Sequence, residues 1–242
     1  MGHQPADLLQ FARPALTTMI CLENVSKSFR VKGNVRHVAR NISATFPKGK
    51  SVGLLGRNGA GKSSLLRMIS GAMEPDSGKI SIQGSLSFPV GFSGSFHRDL
   101  TGAQNTRFVA RVYGIDTDAL LDFVADFSEL GRQFYQPIHT YSSGMKSRLA
   151  FGISMGIHFD MYLVDEVTAV GDEAFKEKSE AVFMDRMTSS GAIFISHSLA
   201  SIRRVCSAVA TLEDGVLTYF DDVNEGIEHH KENMQRRSDS IG

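Results

Sequence analysis

The chain has few cysteines and no excess of either charge. Among its 242 residues only Cys21 and Cys206 are cysteines, and they lie far apart without C-x-x-C spacing. This pattern disfavours a disulfide or a cysteine-based metal site and fits a reducing cytosol. Lysine and arginine together number 26, as do aspartate and glutamate, so the formal net charge is zero. Because a nucleic-acid partner needs a basic footprint, we expect no nucleic-acid partner.

The sequence also lacks a long hydrophobic run and a secretory signal. Its longest apolar stretch, 149–159, is interrupted by Gly152, Ser154, Gly156 and His158. It falls short of the ~20 residues that span a bilayer, and no signal peptide is evident at the N-terminus. We therefore expect a soluble chain. Its 242 residues, 42% of them hydrophobic, are enough for one large α/β domain or two small ones.

One glycine-rich stretch fits the phosphate-binding pattern G-x-x-x-x-G-K-S/T. It consists of Gly56, Arg57, Asn58, Gly59, Ala60, Gly61, Lys62 and Ser63, with Ser64 directly after it. The segment 51–55 before it is short and apolar, as a buried strand would be, and apolar residues recur at helical spacing over 65–69. A glycine-rich surface turn is the alternative. The strand–turn–helix setting favours phosphate capture, because the turn directs backbone N–H groups into one concavity at a positively polarised helix N-terminus.

Three side chains of this loop have distinct expected roles. Lys62 reaches the β- and γ-phosphates, Ser63 places its hydroxyl on Mg²⁺, and Ser64 adds a phosphate contact. The loop glycines allow backbone angles and a close approach of the ligand that a Cβ atom would block. The stretch therefore predicts a nucleoside triphosphate and Mg²⁺ as cofactors.

Two strand ends downstream carry candidate catalytic residues. The apolar run 161–164 ends in Asp165 and Glu166. An acidic residue at such a strand end makes the second Mg²⁺ contact in phosphate-loop proteins, so we assign that role to Asp165. Glu166 is the predicted general base that orients the attacking water. His197 ends the apolar strand 192–195 and is expected at the same sheet edge, as a sensor of the γ-phosphate. The alternatives are a solvated strand end for the two acidic residues and a structural role for the histidine.

A second segment with serine and glycine precedes a long helical pattern. Ser142, Ser143 and Gly144, followed by Met145, precede the helical stretch 146–158, which predicts an anion site at a helix N-terminus. One nucleotide rarely needs two triphosphate cradles, so we expect this segment to face the nucleotide of another copy of the chain. The alternative is that the serines only cap the helix.

The two ends of the chain differ in pattern from its centre. Residues 1–18 contain Pro5 and Pro14 and show no clear periodicity, which is typical of an N-terminal extension. This extension is either a loose tail or a helix that contacts a partner, and Met19 could equally be the native start. Residues 221–242 are mostly polar and charged, and we expect a peripheral C-terminal tail.

Between these ends the patterns alternate. Residues 20–46 are strand-like, and the alternation of apolar residues over 80–88 suggests further antiparallel strands. Residues 91–135 are polar and helical, with an amphipathic face at 120–127. The segment 209–220 predicts a closing hairpin around its Asp-Gly turn.

Five segments resemble, in order and spacing, the motifs of ABC-transporter ATPase subunits. They are the phosphate loop, Tyr141-Ser142-Ser143-Gly144-Met145, Tyr162-Leu163-Val164-Asp165-Glu166, Thr168-Ala169-Val170-Gly171-Asp172 and Ser196-His197, all within about 19–220. The resemblance implies an α/β fold: a P-loop NTPase (RecA-like) core with an antiparallel β subdomain and a helical subdomain at about 91–150.

The same resemblance implies a head-to-tail homodimer with two sandwiched ATP molecules. Each ATP would lie between the phosphate loop of one subunit and Ser142, Ser143 and Gly144 of the other. Phe29 then matches the aromatic residue that stacks on adenine, where a core phenylalanine would otherwise be the better interpretation. Asp172 matches the aspartate that crosses between subunits.

The chain departs from the family pattern at several positions. Tyr141 stands where the family has Leu, Ser143 where it has the first Gly, and Met145 where it has Gln. No glutamine lies between Gln83 and Gln104, where the family places one that links Mg²⁺ to the membrane subunit. The relay from the γ-phosphate to the membrane subunit is therefore unassigned.

These departures, together with 88–92 and 101–105, most resemble the ATPase subunits of bacterial capsular-polysaccharide exporters. The resemblance implies an ATPase that powers polysaccharide export and lies peripherally on the cytoplasmic face of the bacterial inner membrane. The implied partners are two integral-membrane permease subunits and further envelope export proteins. The helical segment 91–135 would form the permease groove, with Phe92 and Phe96 as anchors or, alternatively, as core residues. Export of O-antigen or teichoic acid, or a soluble non-transport ABC ATPase, are the alternative functions.

Overall fold

Two β-sheets and the helices around them form the fold. The computed structural model describes residues 18–31, 33–90, 96–165 and 173–238. The strands in this part of the chain are β1 (Thr18–Val31), β2 (Asn34–Pro47), β3 (Ser51–Leu55), β4 (Ser77–Ile82), β5 (Met161–Asp165), β6 (Gly191–Ile195), β7 (Ala208–Glu213) and β8 (Val216–Phe220). The α-helices are α1 (Lys62–Ile69), α2 (Gly102–Tyr113), α3 (Thr117–Ser128), α4 (Ser143–Gly156), α5 (Glu173–Ser189), α6 (Leu199–Val205) and α7 (Val223–Ser238).

The larger sheet has the strand order β5-β6-β3-β7-β8. Its first four strands are parallel, and β8 pairs antiparallel to β7 across the turn at Asp214-Gly215, which confirms the predicted hairpin. All residues of β3 and of β6 are buried, as expected for parallel strands covered on both faces. Because these strands run in one direction, the carboxyl ends of β3, β5 and β6 lie at the same edge of the sheet.

The smaller sheet is antiparallel, with β1 between β2 and β4. It packs on α1 and on one face of the larger sheet. Ile20 and Phe46 from the antiparallel strands share one buried cluster with Leu65 and Ile69 of α1 and with Val52 of β3. This packing holds α1, and the loop that precedes it, between the two sheets.

A helical region follows the antiparallel sheet. The amphipathic face predicted for α3 is confirmed, because Leu120, Val124 and Phe127 are all buried. The ring of Phe127 lies 5.9 Å from that of Phe151 on α4 and 5.4 Å from that of Phe175 on α5. None of the helices in the described residues has the length and apolar character needed to cross a membrane.

The structure differs from the sequence prediction after β4. The alternation over 80–88 predicted further antiparallel strands, and only β4 pairs in that way. Leu86 instead forms a parallel bridge with Met161 at the outer edge of β5. The Val90 N–H continues this edge by donating to the Leu163 carbonyl oxygen at 2.8 Å. The period of two is correct for an extended chain, and it carries no information on which strand becomes the partner.

The C-terminal segment, predicted to be a peripheral tail, is largely helical. Residues 223–238 form α7, and Ile227 on this helix is completely buried. Ile227 and the partly buried Val223 dock this otherwise polar helix on the core. The predicted extension 1–18 lies outside the described residues except for Thr18, where β1 begins.

Candidate nucleotide-binding site

The phosphate loop joins β3 to α1, as the sequence predicts. Gly61 is the N-cap of α1 and has a φ of 112°. A Cβ atom at this position would lie 2.8 Å from both the Val38 Cβ atom and the Val38 carbonyl oxygen. Only glycine can therefore bring the loop this close to β2. The first turn of α1 contains no acidic residue, so the positive end of the helix dipole is not neutralised from within the helix.

Lys62 folds back over the mouth of the loop. Its ammonium Nζ donates to the Gly56 carbonyl oxygen at 2.6 Å and to the Arg57 carbonyl oxygen at 2.9 Å. The Ala60 N–H also donates to the Arg57 carbonyl oxygen, at 3.0 Å. These bonds give the loop a closed shape and hold the Lys62 charge at its opening. A phosphate group has to compete with two carbonyl oxygens for this ammonium.

A cleft of about 510 Å³ opens in front of the loop. The described residues that line it are Phe29, Val31, Arg36, Val38, Asn58, Gly59, Gly61, Lys62, Ser63, Ser64, Asp165, Ile195 and His197. Residues predicted as an adenine platform, a phosphate cradle, a metal ligand and a γ-phosphate sensor thus share one cavity. The cleft combines an apolar end, at Phe29 and Val31, with a cationic and hydroxyl-rich end at the loop.

Sheet order brings Asp165 and His197 to this cleft. Asp165 is the last residue of β5 and is paired with Ile195, the last residue of β6. His197 follows two residues later, and β6 lies directly beside β3. The predicted Mg²⁺ ligand and the predicted sensor therefore flank the phosphate loop at one sheet edge.

Other predicted residues lie elsewhere or outside the described part of the chain. Gly56 lines a neighbouring cavity of about 390 Å³, and Arg57 and Ala60 line a further pocket beside β2. The predicted general base Glu166 and the predicted crossing residue Asp172 lie outside the described residues, so their roles stay predictions.

The serine segment does not line the cleft of its own chain, as far as the structure describes that cleft. Ser142 is the N-cap of α4, and its Oγ atom accepts a hydrogen bond from the Met145 N–H at 3.2 Å. Ser143 and Gly144 form the first turn of this helix. Within one chain, therefore, Ser142 does act as a helix cap. A contact of this segment with the nucleotide of a second copy stays a prediction.

Tyr141, one of the departures from the family pattern, has a structural explanation. Its side chain is buried, and its hydroxyl donates to the Gln133 carbonyl oxygen at 2.6 Å. Burial raises the pKa of this hydroxyl. A Cβ atom at Gly102 would lie 2.5 Å from the Tyr141 hydroxyl, so glycine at the start of α2 makes room for the tyrosine. The residue before Ser142 is thus tied to the helical region.

The segment 101–105 also acts on the start of α2. Thr101 and Gln104 form a reciprocal capping box, in which each side chain accepts from the other residue's backbone N–H. The Asn105 side-chain amide donates to the carbonyl oxygens of His97, Leu100 and Thr101. These bonds hold in place the backbone segment that leads from the cleft region into the helical region.

The sequence did not reveal two residues that contact the loop. Arg36 on β2 donates from its guanidinium to the Gly59 carbonyl oxygen. Glu213, at the end of β7, accepts from the Arg57 N–H and from the Arg57 Nε atom, each at 3.2 Å. Neither residue belongs to a motif, and no spacing signal in the sequence could have found them.

Behind Glu213 lies the C-terminal helix. His230 on α7 has its Nδ1 atom 3.9 Å from the Glu213 carboxylate. Burial lowers the pKa of His230, and the charge of Lys62 acts in the same direction, while Glu213 opposes both. His230 and Lys62 line the same 390 Å³ cavity. The helix α7 therefore lies behind the phosphate loop and lines this cavity.

A mostly parallel sheet with a phosphate loop after β3 and an acidic residue at the end of β5 defines a P-loop nucleotide-binding protein. The ABC transporter family matches the chain over residues 39–169. The chain is 46% identical over 216 residues to the polysialic acid transport ATP-binding protein KpsT of Escherichia coli, covering 88% of this chain and 96% of that protein. This chain belongs to the ABC transporter family, as its motifs predicted.

Two further comparisons agree with this assignment. The capsule polysaccharide export ATP-binding protein CtrD of Neisseria meningitidis serogroup B is 42% identical over 212 residues, covering 88% of this chain and 98% of that protein. A solved dimeric ATP-binding cassette, bound to ADP and phosphate in a post-hydrolysis state, superposes with a TM-score of 0.67 at 18% identity. The superposition covers 82% of this chain and 96% of the cassette, and it confirms the predicted fold class.

Proposed function

We propose that this chain is the ATP-hydrolysing subunit of a bacterial ABC exporter of capsular polysaccharide. One observation carries the proposal: Lys62, Ser63, Asp165 and His197 line a single cleft in front of the phosphate loop. The similarity to polysialic acid and capsule export proteins, at 46% and 42% identity over nearly their whole length, supports the substrate class.

ATP binds with its triphosphate in the loop and its base toward Phe29. The backbone N–H groups at the start of α1 and the Lys62 ammonium bind the phosphates. Phe29 lies at the apolar end of the same cleft, where its ring can stack on adenine. Loop glycines keep the backbone close enough to the phosphates for these contacts.

The donor set of the cleft fits Mg²⁺. The Ser63 hydroxyl and the Asp165 carboxylate are oxygen donors that line the same cavity, and Mg²⁺ prefers oxygen ligands together with substrate phosphates. When bound, this ion neutralises charge that develops on the transferred phosphoryl group. Ser63 and Asp165, at the end of β5, would hold it.

Hydrolysis needs a base and a group that forms a hydrogen bond to the γ-phosphate. Glu166 directly follows Asp165 in the sequence and is the proposed base for the attacking water. His197, two residues after β6, lines the cleft and is the proposed hydrogen-bond partner of the γ-phosphate. His197 follows the end of β6, which pairs with the end of β5 at Asp165.

The complete site requires two copies of the chain. In the described part of the cleft, Ser142, Ser143 and Gly144 are not among the lining residues, and the positive end of α4 begins at this segment. In a head-to-tail homodimer, each copy would present this helix end to the ATP of the other, with Asp172 crossing between the copies. ATP binding closes the dimer, and hydrolysis releases it.

Two permease subunits are the proposed membrane partners. Phe108 and Val112 on α2 and Tyr135 after α3 are large apolar side chains that are more than half exposed, which suits a protein contact. Of the two predicted anchors, Phe96 is buried and contributes to the core, and Phe92 lies outside the described residues. This contact would place the chain on the cytoplasmic face of the inner membrane, with further envelope proteins completing the export path.

The test uses the chain purified together with its candidate permease and reconstituted in vesicles. We expect Mg²⁺-dependent ATP hydrolysis and ATP-driven movement of the capsular polymer, both lost in Lys62→Ala. Exposed Lys79→Ala serves as the matched control. Hydrolysis that survives Lys62→Ala, or sedimentation of the chain with ribosomes rather than membranes, would contradict the proposal.

A further inference from the structure

The end of β7 lies against the first residues of the phosphate loop. β7 pairs in parallel with β3, with Leu55 opposite Thr211, so Leu212 and Glu213 run beside the point where the loop begins. The Leu212 carbonyl oxygen lies directly against Gly56, and a Cβ atom there would overlap it. Gly56 has a φ of 154°. The first residue of the loop therefore packs against the backbone of β7.

Glu213 holds the peptide group between Gly56 and Arg57. Its Oε1 atom accepts from the Arg57 N–H at 3.2 Å, and its Oε2 atom accepts from Arg57 Nε at 3.2 Å. On the opposite side of the same peptide, the Gly56 carbonyl oxygen accepts from Lys62 Nζ at 2.6 Å. Because a trans peptide is planar and its N–H and C=O groups point in opposite directions, Glu213 and Lys62 clamp one rigid unit from two sides.

The Glu213 carboxylate also brings a negative charge close to the phosphate loop. A carboxylate near a triphosphate site repels the ligand unless a cation neutralises it. The Arg57 guanidinium pairs with Glu213, and the Glu213 side chain is only 19% exposed. The carboxylate can therefore act as a hydrogen-bond acceptor for the loop without presenting a free negative charge to the phosphates.

We infer that Glu213 is a positioning residue that sets the orientation of the Gly56–Arg57 peptide and, through it, the place of the Lys62 ammonium. Without the carboxylate, the Arg57 N–H loses its acceptor, and the peptide, now held only at its carbonyl oxygen, can rotate. The carbonyl oxygen that holds Lys62 rotates with it. The inference rests on the proposed function, because it assigns a role in binding the phosphates of ATP.

The experiment compares the full-length chain with Glu213→Ala, Glu213→Gln and the matched control Glu228→Ala, an exposed glutamate on α7 that pairs with Lys231. Calorimetric titration with Mg²⁺ and the non-hydrolysable analogue AMP-PNP gives the Kd, and scanning calorimetry gives the Tm. We expect Glu213→Ala to raise the Kd about tenfold, as loss of a charge-assisted hydrogen bond would. Glu213→Gln keeps an acceptor for the Arg57 N–H and should stay within about threefold of the native Kd.

Three outcomes would overturn the inference. The first is a Glu213→Ala variant whose Kd stays within about twofold of the native value. The second is equal weakening by the Ala and Gln variants together with an equal loss of Tm, since this would indicate a general structural role. The third is a native chain that does not bind AMP-PNP, which overturns the proposed function and the inference with it. An unchanged Kd in the variants of a native chain that does bind overturns the inference alone.

Discussion

Lys62 and Glu213 bind the same peptide group from opposite sides. Lys62 donates to its carbonyl oxygen at 2.6 Å and Glu213 accepts from its N–H at 3.2 Å. One of these residues belongs to the phosphate-loop motif, and the other lies at the end of a strand that no motif marks. The resting position of the Lys62 charge therefore depends on a residue that is distant in the sequence.

Replacing the predicted general base should separate binding from hydrolysis. Glu166→Gln keeps the size of the side chain and removes its basicity, so ATP still binds while hydrolysis slows by about 10²-fold or more. Closed dimers should then accumulate. Phosphate release and sedimentation velocity in the presence of Mg²⁺ and ATP measure the two effects. The control is Glu177→Gln on an exposed position of α5, and a native rate in Glu166→Gln would remove Glu166 from its assigned role.

Dimer closure gives a second prediction, which uses the Glu166→Gln background. Ser142→Arg places a large side chain at the start of α4, where the ATP of a second copy should contact the helix. We expect the ATP-dependent dimer to be lost while each chain still binds ATP. Asp116→Arg is the matched control, because Asp116 is also an N-cap, on α3, and its loss costs a similar ~1 kcal/mol. A dimer that persists in Ser142→Arg would argue against the head-to-tail arrangement.

Asp160 predicts a dependence of stability on pH. Its carboxylate accepts from the Ser85 N–H and hydroxyl, each at 2.9 Å, and lies 2.7 Å from Lys48. The Lys48 interaction and the two Ser85 hydrogen bonds lower the pKa of Asp160 from 3.8 to about 2. Since the folded pKa is the lower one, the unfolded chain binds this proton first as the pH falls. The stabilisation is present above the unfolded value and is lost as the pH falls toward 2.

Asp160→Asn should therefore cost about 1 kcal/mol of unfolding free energy at pH 7, with the partial exposure of the pair taken into account. Urea unfolding measures this cost, and the difference from the native chain should narrow below about pH 4. Asp221→Asn, at an exposed ion pair with Lys50, should change little. A difference that stays constant down to pH 3 would mean that the ionised form of Asp160 is not the stabilising one.

Tyr141 predicts a modest structural effect near the serine segment. Tyr141→Phe removes the hydroxyl that donates to the Gln133 carbonyl oxygen. This carbonyl keeps a second bond from the Gln136 N–H at 2.9 Å, so we expect a loss of only about 1 kcal/mol, or roughly 2–4 °C in Tm. Tyr135→Phe is the matched control, because the Tyr135 side chain is 64% exposed. Scanning calorimetry measures the Tm of the two variants. Equal Tm values would show that the hydrogen bond of the buried hydroxyl contributes nothing to stability.

Much of the candidate site could be predicted because its residues follow local rules. A phosphate loop needs glycine at set intervals between a strand and a helix, and Gly61 shows why: a Cβ atom there would overlap Val38. Asp165 and His197 could be predicted because each follows an apolar run of strand length. The end of the alternation over 80–88 was harder to assign, because it indicates an extended chain and does not identify the strand with which that chain pairs.

The sequence by itself determined the phosphate loop, the strand ends that carry Asp165 and His197, and membership of the ABC transporter family. Only the tertiary structure decided that α7 docks behind the loop and that Glu213 meets Arg57 across 156 residues of sequence. The physical reason is that the interactions which produce a recognisable sequence pattern act over a short range. Turn chemistry and helical or strand periodicity act between near neighbours, whereas the pairing of β7 with β3 is chosen by the packing of the whole sheet.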